Sequence, residues 1–281
     1  MDPLEFFLLV LAAAFLAGIV GSLMGLGGGV IMVPFLTIFL GVSPLLAIGA
    51  SIVSVIATSS GAASVYVKDG ITNLRIGMFL EIATTTGAVV GAVLTISLAR
   101  ANLEGVVYVA FGVVLILSVL PLLRKLGEEL PSGATPDGIS KRLELRGEYY
   151  DKALNVRVDY EATRSPLGLA IMWAAGLISG LLGIGSGALK VLALDVGMKL
   201  PMKVSSTTSN FMIGVTAAAS TGIFYLGGYI NPFLAAPVMM GVLMGSVPGS
   251  QLLARTKNSS IRKVFIPVIV ILAVEMLVHG V

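Results

Sequence analysis

The chain says the same thing twice. Gly25-Leu26-Gly27-Gly28-Gly29 returns about 158 residues later as Gly183-Ile184-Gly185-Ser186-Gly187, with Gly18 and Gly176 preceding the two motifs at equal distance. Pro44 matches Pro201, Ser51 matches Thr208, and Gly87 and Gly91 match Gly245 and Gly249, so the register holds with small slips over roughly a hundred residues. The repeats lie in strongly apolar sequence. Of 281 residues, 56% are hydrophobic and 12% charged, with a mean hydropathy of +0.99, more apolar surface than one soluble core can hide. An integral membrane protein of two like halves follows, and glycine-broken apolar segments at matching places point to a transporter with its site between the halves.

The apolar runs approach or exceed the roughly 20 residues that cross about 30 Å of hydrocarbon, which favours an all-α polytopic fold over a barrel of short alternating strands. Broken at charge and turn signals, they predict segments 4–24, 26–41, 44–66, 74–97 and 103–123 in the first half. The second half yields 167–183, 185–198, 203–226, 230–253 and 262–280. Asp2 and Glu5 replace the basic start of a signal peptide, so 4–24 reads as a retained span. Between the halves lies a polar stretch with Pro131, Gly133, Pro136 and Gly138, then an alternating run through Tyr149, Tyr150, Val156, Val158 and Tyr160. It reads as a soluble loop with a β-hairpin turning near Asp151 to Asn155. The expected division is a first transmembrane repeat over 1–123, a polar cytoplasmic loop over 124–166 and a second repeat over 167–281.

The second segment of each half is short, and it either crosses the bilayer or dips in and returns. If it crosses, ten spans place Lys68, Arg75, the central loop, Lys199, Lys203, Arg255, Lys257, Arg262 and Lys263 on one face, and Arg100 on the other. A returning segment with eight spans scatters them, so the positive-inside rule favours ten spans, with the central loop inside and both termini outside. An odd number of spans per half inverts the second repeat relative to the first.

The chemistry-bearing residues are few. Cysteine is absent and the single histidine is His279, so no disulfide and no thiolate, zinc or haem metal site is expected. The net charge of +3 is accounted for by membrane orientation, and there is no nucleic-acid signal and no phosphate-binding GKT/S loop. The glycine loops interrupt helices at membrane depth, where exposed backbone must face protein or a cavity. Gly27, Gly28 and Gly29, with Gly185, Ser186 and Gly187, therefore place helix starts with unpaired N–H groups where an anion can bind. Close helix packing is the competing reading of these glycines. Ser51, Ser54, Thr58, Ser59 and Ser60, and then Ser205, Ser206, Thr207, Thr208, Ser209 and Asn210, supply donors on the third segment of each half, unless they bond their own backbone. Glu81, Lys190 and Asp195 are the ionisable residues inside spans. Lys190 is placed to neutralise an anion or to exchange a proton, and Glu81 to carry a coupling proton; a structural Lys190–Glu81 or Lys190–Asp195 pair is the alternative. Ser186 and Lys190, at i and i+4, also permit a serine–lysine dyad.

These residues resemble the sulfite exporter TauE/SafE family of prokaryotic membrane permeases. The likeness covers both halves and rests on GIVGSLMGLGGGVIMVP from Gly18 to Pro34, GLISGLLGIGSGALKV from Gly176 to Val191, and SSTTSNFMIG from Ser205 to Gly214 before Thr216. It implies a permease of small sulfur-containing anions such as sulfite, thiosulfate or sulfoacetate, in the cytoplasmic membrane and without bound cofactor. Ser186 stands where the first motif has glycine, and Leu192 where it has Pro34. The expected protein is thus an anion transporter in the lipid bilayer, not an enzyme, coupled to protons or to the membrane potential. The expected substrate site combines the two glycine loops with Ser51, Lys190, Thr207, Thr208, Ser209 and Asn210. A carrier of another small anion such as a carboxylate, an intramembrane Ser/Lys protease and a membrane scaffold are the alternatives. Nothing in the sequence sets an oligomeric state.

Overall fold

The computed structural model describes residues 2–101, 135–183 and 185–257, with single positions between 109 and 123 and between 260 and 278. The expected segment 103–123, Pro131 and Gly133 of the loop, Ile184, Arg262 and His279 lie largely or wholly outside the described residues.

Helix α1 (Pro3–Met24) ends where Gly25 takes a left-handed conformation, φ 76°, that glycine adopts at little cost. A short helix α2 (Gly29–Pro34) follows and widens into a π-helical turn over Phe35–Phe39. Helices α3 (Pro44–Lys68) and α4 (Leu74–Arg100) complete the described part of this half. After a short α5 (Gly138–Arg142), strands β1 (Arg146–Asp151) and β2 (Val156–Glu161) pair antiparallel, Asp151 opposite Val156, around the expected turn. The second half repeats the order: α6 (Ser165–Leu182), α7 (Gly187–Leu192) with a π-helical turn over Ala193–Gly197, α8 (Met202–Leu226) and α9 (Pro232–Arg255). Pro34 precedes the first π turn and Leu192 the second, so proline does not cause this distortion.

Among the described residues, five helices are long and apolar enough to cross a bilayer: α1, α3, α4, α6 and α9. Their outward faces carry Leu8, Leu16, Met78, Ile82, Trp173, Met244 and Leu252, which suit lipid rather than water. Helix α8 is the exception, with hydroxyls and Asn210 wholly buried between Ser205 and Asn210.

The short segments run back along the helix before them. Helical residues 29–39 span only about 16 Å at ~1.5 Å per residue. Val42, Ser43 and Leu46 then line one cavity with Pro3, Phe6 and Phe7, at the start of α1. In the second half Met198 carbonyl accepts the Thr163 N–H and hydroxyl, each at 3.1 Å, beside the start of α6. The first two helices of each half are therefore helical hairpins whose ends lie together, with 26–41 and 185–198 carrying the chain back to the start of the helix before them. At each tip, glycines in left-handed geometry (Gly25 and Gly27, Gly183 and Gly185) turn the chain.

The repeated glycines outside the tips are packing residues. A Cβ on Gly245 or Gly249 of α9 would strike the backbone of α1 at Phe15 or Ile19, and one on Gly18 would strike Val242. The matching residues do the same between α4 and α6: Gly87 and Gly91 lie on the Trp173 and Leu177 backbone, and Gly176 on Thr84. Close approach of membrane helices favours this choice, because apolar side chains gain nothing by leaving lipid. The first helix of each half is thus clamped to the fourth helix of the other.

Candidate functional site

The two hairpin tips meet in the centre, between α3 and α8. A Cβ on Gly187 would collide with the Gly25 carbonyl and Leu26 Cα, and one on Gly25 with Ser206 Cα. Gly27 and Gly185 both face Val55 and Ile213, one residue from each half. Gly29 lies against Ser51 and Val55. Gly29 and Gly187 thus have no room for a side chain.

Hydroxyls on α3 and α8 hold the tips. Ser51 Oγ donates to Gly183 carbonyl at 3.2 Å, and Gly28 N–H donates to Thr58 Oγ1 at 3.4 Å. Ser209 Oγ lies 2.9 Å from the Gly25 carbonyl and 3.3 Å from that of Gly187, so one hydroxyl proton ties both tips. Asn210 Nδ2 donates to Ser22 carbonyl at 2.7 Å, an oxygen that the buried Tyr66 hydroxyl also reaches at 2.8 Å. Thr208 Oγ1 accepts Asn73 N–H at 3.1 Å, and Thr207 bonds Val204 carbonyl in its own helix. Ser51, Thr208, Ser209 and Asn210 all spend donors or acceptors on backbone. Ser186 differs: at φ 43° it occupies the left-handed region despite its Cβ, and its buried hydroxyl has no hydrogen-bond partner among the described residues.

Lys190, one turn past the second tip, is completely buried. Its Nζ donates to Thr216 Oγ1 of α8, whose hydroxyl lies 2.6 Å from Glu81 Oε1 on α4. The Lys190–Glu81 pairing is therefore bridged by Thr216, a residue that sequence reading had only as a flank of the hydroxyl cluster. Its signal was a lone hydroxyl amid Val215 and Ala217, indistinguishable from one that bonds its own helix. The serine–lysine dyad is not formed, since Lys190 points to Thr216 and Ser186 Oγ bonds neither.

On the far side of α8 the β-hairpin docks as a cap. Lys203 Nζ meets Asp151 Oδ1 at 2.7 Å with both side chains buried. Burial by itself would raise the Asp151 carboxyl, but the Lys203 ammonium and the N–H groups of Leu154 and Ala153 outweigh it and hold the group below its usual value. Asn73, between α3 and α4, donates to the Tyr160 hydroxyl and the Arg146 carbonyl, both at 3.1 Å. Tyr149, Val158 and Tyr160 join one apolar cluster with Ile71, Leu194 and Met198.

This arrangement can pair a buried cation with an anion, and among the described residues it presents no aligned nucleophile and base. Two curated relatives in Bacillus subtilis (strain 168) resemble the chain. The probable membrane transporter protein YunE is 28% identical over 98% of both chains. The probable membrane transporter protein YdhB is 24% identical over 87% of this chain and 89% of its own. No solved structure matches. The family model described as sulfite exporter TauE/SafE matches residues 10–276, so that the doubled glycine hairpins, the buried Lys190 and the apolar helices belong to a multi-pass membrane transporter of the sulfite exporter TauE/SafE family.

Proposed function

We propose that this transporter moves a small sulfur-containing anion, such as sulfite, thiosulfate or an organosulfonate like sulfoacetate, across a prokaryotic cytoplasmic membrane. The observation that carries this reading is Lys190: a fully buried ammonium beside two meeting glycine tips, reaching a hydroxyl of the neighbouring α8. A buried cation needs a counter-anion, and hydroxyls with close backbone suit compact oxyanions. The family's description as sulfite exporters directs the choice toward sulfur. In this reading the substrate enters between the tips, so Gly27, Gly28, Gly29, Gly185, Ser186 and Gly187 line its path. Ser51, Thr207, Thr208, Ser209 and Asn210 exchange backbone partners for substrate oxygens, and Glu81 with Lys190 links transport to protons.

The same proposal includes two inverted repeats over 1–123 and 167–281 joined by an inner loop over 124–166. The cross-clamping of first and fourth helices supports it. Each hairpin brings the chain back to the side on which it began, so the three segments that follow set the parity of each half: α3, α4 and segment 103–123, then α8, α9 and segment 262–280. Three is odd, which keeps the second repeat inverted and the basic loops inside whether or not the two legs of each hairpin span the full bilayer.

The test is thermal stabilisation of the purified protein by sulfite, thiosulfate, sulfoacetate, sulfate and acetate. A ligand at 100 times its Kd adds about 2.7 kcal/mol of apparent stability. Selective stabilisation by a sulfur anion is expected. A response to acetate alone would favour a carboxylate carrier, and no response from a folded sample would overturn the anion reading.

A further inference from the structure

Lys190, Thr216 and Glu81 form a chain of side chains drawn from α7, α8 and α4. The Glu81 end is lopsided. Oε1 accepts from Thr216 at 2.6 Å and from Thr85, one turn along α4, at 3.1 Å. Oε2 is buried and has no hydrogen-bond partner among the described residues. A buried carboxylate oxygen left bare is costly chiefly because it carries charge, and taking a proton there removes that charge.

Thr216 has a second option built in. Its hydroxyl lies 2.8 Å from the Met212 carbonyl as well as 2.6 Å from Glu81 Oε1, and a hydroxyl carries one proton. It can release Glu81 and turn to its own helix without stranding a donor, while its oxygen still accepts from Lys190.

The charges around Glu81 restrict what an arriving anion meets. Helix α6, packed along α4, carries no charged residue. Helix α8 carries Lys203, which is held by Asp151 at the inner end, and the second hairpin carries Lys190 and the buried Asp195. On α4 itself, Arg75 is exposed and pairs with Glu144 outside the bundle. A second negative charge beside Lys190 would therefore face Glu81 at short range in a water-poor interior, where like charges disfavour shared ionisation.

Resting on the reading of this protein as an anion carrier, we propose that Glu81 is the resident counter-anion of Lys190 and is exchanged for the transported anion through Thr216. The anion takes over the Lys190 ammonium, Thr216 turns its hydroxyl to the Met212 carbonyl, and Glu81 takes up one proton from solvent on Oε2. When the anion leaves on the other side, the proton leaves Glu81 and the carboxylate returns to Thr216 and Lys190. One proton then accompanies each anion, and Lys190 is never left without a negative partner. Thr216 acts here as a positioning residue.

Thiosulfate is the probe, because its charge does not change between about pH 6 and 9 and any proton taken up goes to the protein. Wild-type affinity is expected to weaken about tenfold per unit rise in pH, with about one proton absorbed per anion in weak buffer. Glu81→Gln is expected to bind thiosulfate with a flat pH profile and, in vesicles, to carry it down its gradient without moving protons. Thr216→Val should flatten the profile, and Thr216→Ser should restore it. Thiosulfate binding by wild type with a flat profile and no proton uptake overturns the exchange while leaving the carrier reading intact. A pH slope that survives in Glu81→Gln also overturns it. No binding of any sulfur anion by folded wild type removes both. Should Glu81→Gln fail to fold, the proton count on wild type decides alone.

Discussion

The two glycine hairpins share a backbone and differ in what they carry. The first has no charged residue beyond Glu5 at its start: Met32 stands where the second has Lys190, and Gly28, with φ −63°, where the second has Ser186 at φ 43°. The contrast recurs where the next helix begins. Leu46 of α3 lines an apolar cavity of about 560 Å³ with Phe6 and Phe233. The matching residue of α8, Lys203, is buried against Asp151 of the β-hairpin. Duplication thus supplied geometry twice and charge once. The reason is energetic, since each buried ammonium needs its own partner and a second copy of Lys190 would need a second Glu81.

The largest effect separating the hairpins is expected from Lys190→Met set against Met32→Leu. Removing Lys190 strands Glu81 as an unpaired buried charge, costing about 3–5 kcal/mol, and should abolish anion binding. Met32→Leu should cost less than about 1.5 kcal/mol and leave transport intact, as measured by denaturation midpoint and anion uptake in vesicles. Equal loss in both would mean that the hairpins serve alike.

Next comes the cap over α8. Asp151→Asn should cost about 2–3 kcal/mol through loss of its charged partner. The Asp151 carboxyl titrates below its ordinary 3.8, so its contribution is complete above that value and fades as pH falls through the lower folded one. A stability profile in acid that is equally steep in Asp151→Asn would place the acid sensitivity elsewhere.

A smaller difference should separate Gly187→Ala from Gly29→Ala. The new Cβ at 187 meets backbone, and overpacking of that kind costs about 1–3 kcal/mol. At 29 it meets the Ser51 and Val55 side chains, which can shift, so the midpoint should fall less. Smallest of all is Ser186→Gly, which relieves a left-handed residue while freeing the unfolded chain, for a net change within about 1 kcal/mol. A large loss there would give the unpartnered Ser186 hydroxyl a role that the tip geometry does not explain.

Much of the fold was legible. The expected segment 44–66 is α3 (Pro44–Lys68), and 203–226 is α8 (Met202–Leu226), because proline opens each helix and glycine or a charge follows its end. The turn from Asp151 to Asn155 was readable from alternation. Of the site, Lys190 and Glu81 stood out because charge is rare in such sequence. The roles of Ser51 and Ser209 as fasteners of the tips did not, since their acceptors, Gly183 and Gly25, lie in the opposite half.

The sequence by itself determined a doubled, apolar, multi-span chain with its scarce charges at defined places, because hydropathy and glycine spacing are local properties that survive without knowledge of the fold. Only the tertiary structure decided that the short segments turn back, that the repeated glycines clamp helices across the halves, and that Thr216 stands between Lys190 and Glu81. Those outcomes depend on which faces meet, and hydrogen-bond partners 132 or 184 residues apart, such as Ser51 with Gly183 and Ser209 with Gly25, are brought together by packing alone.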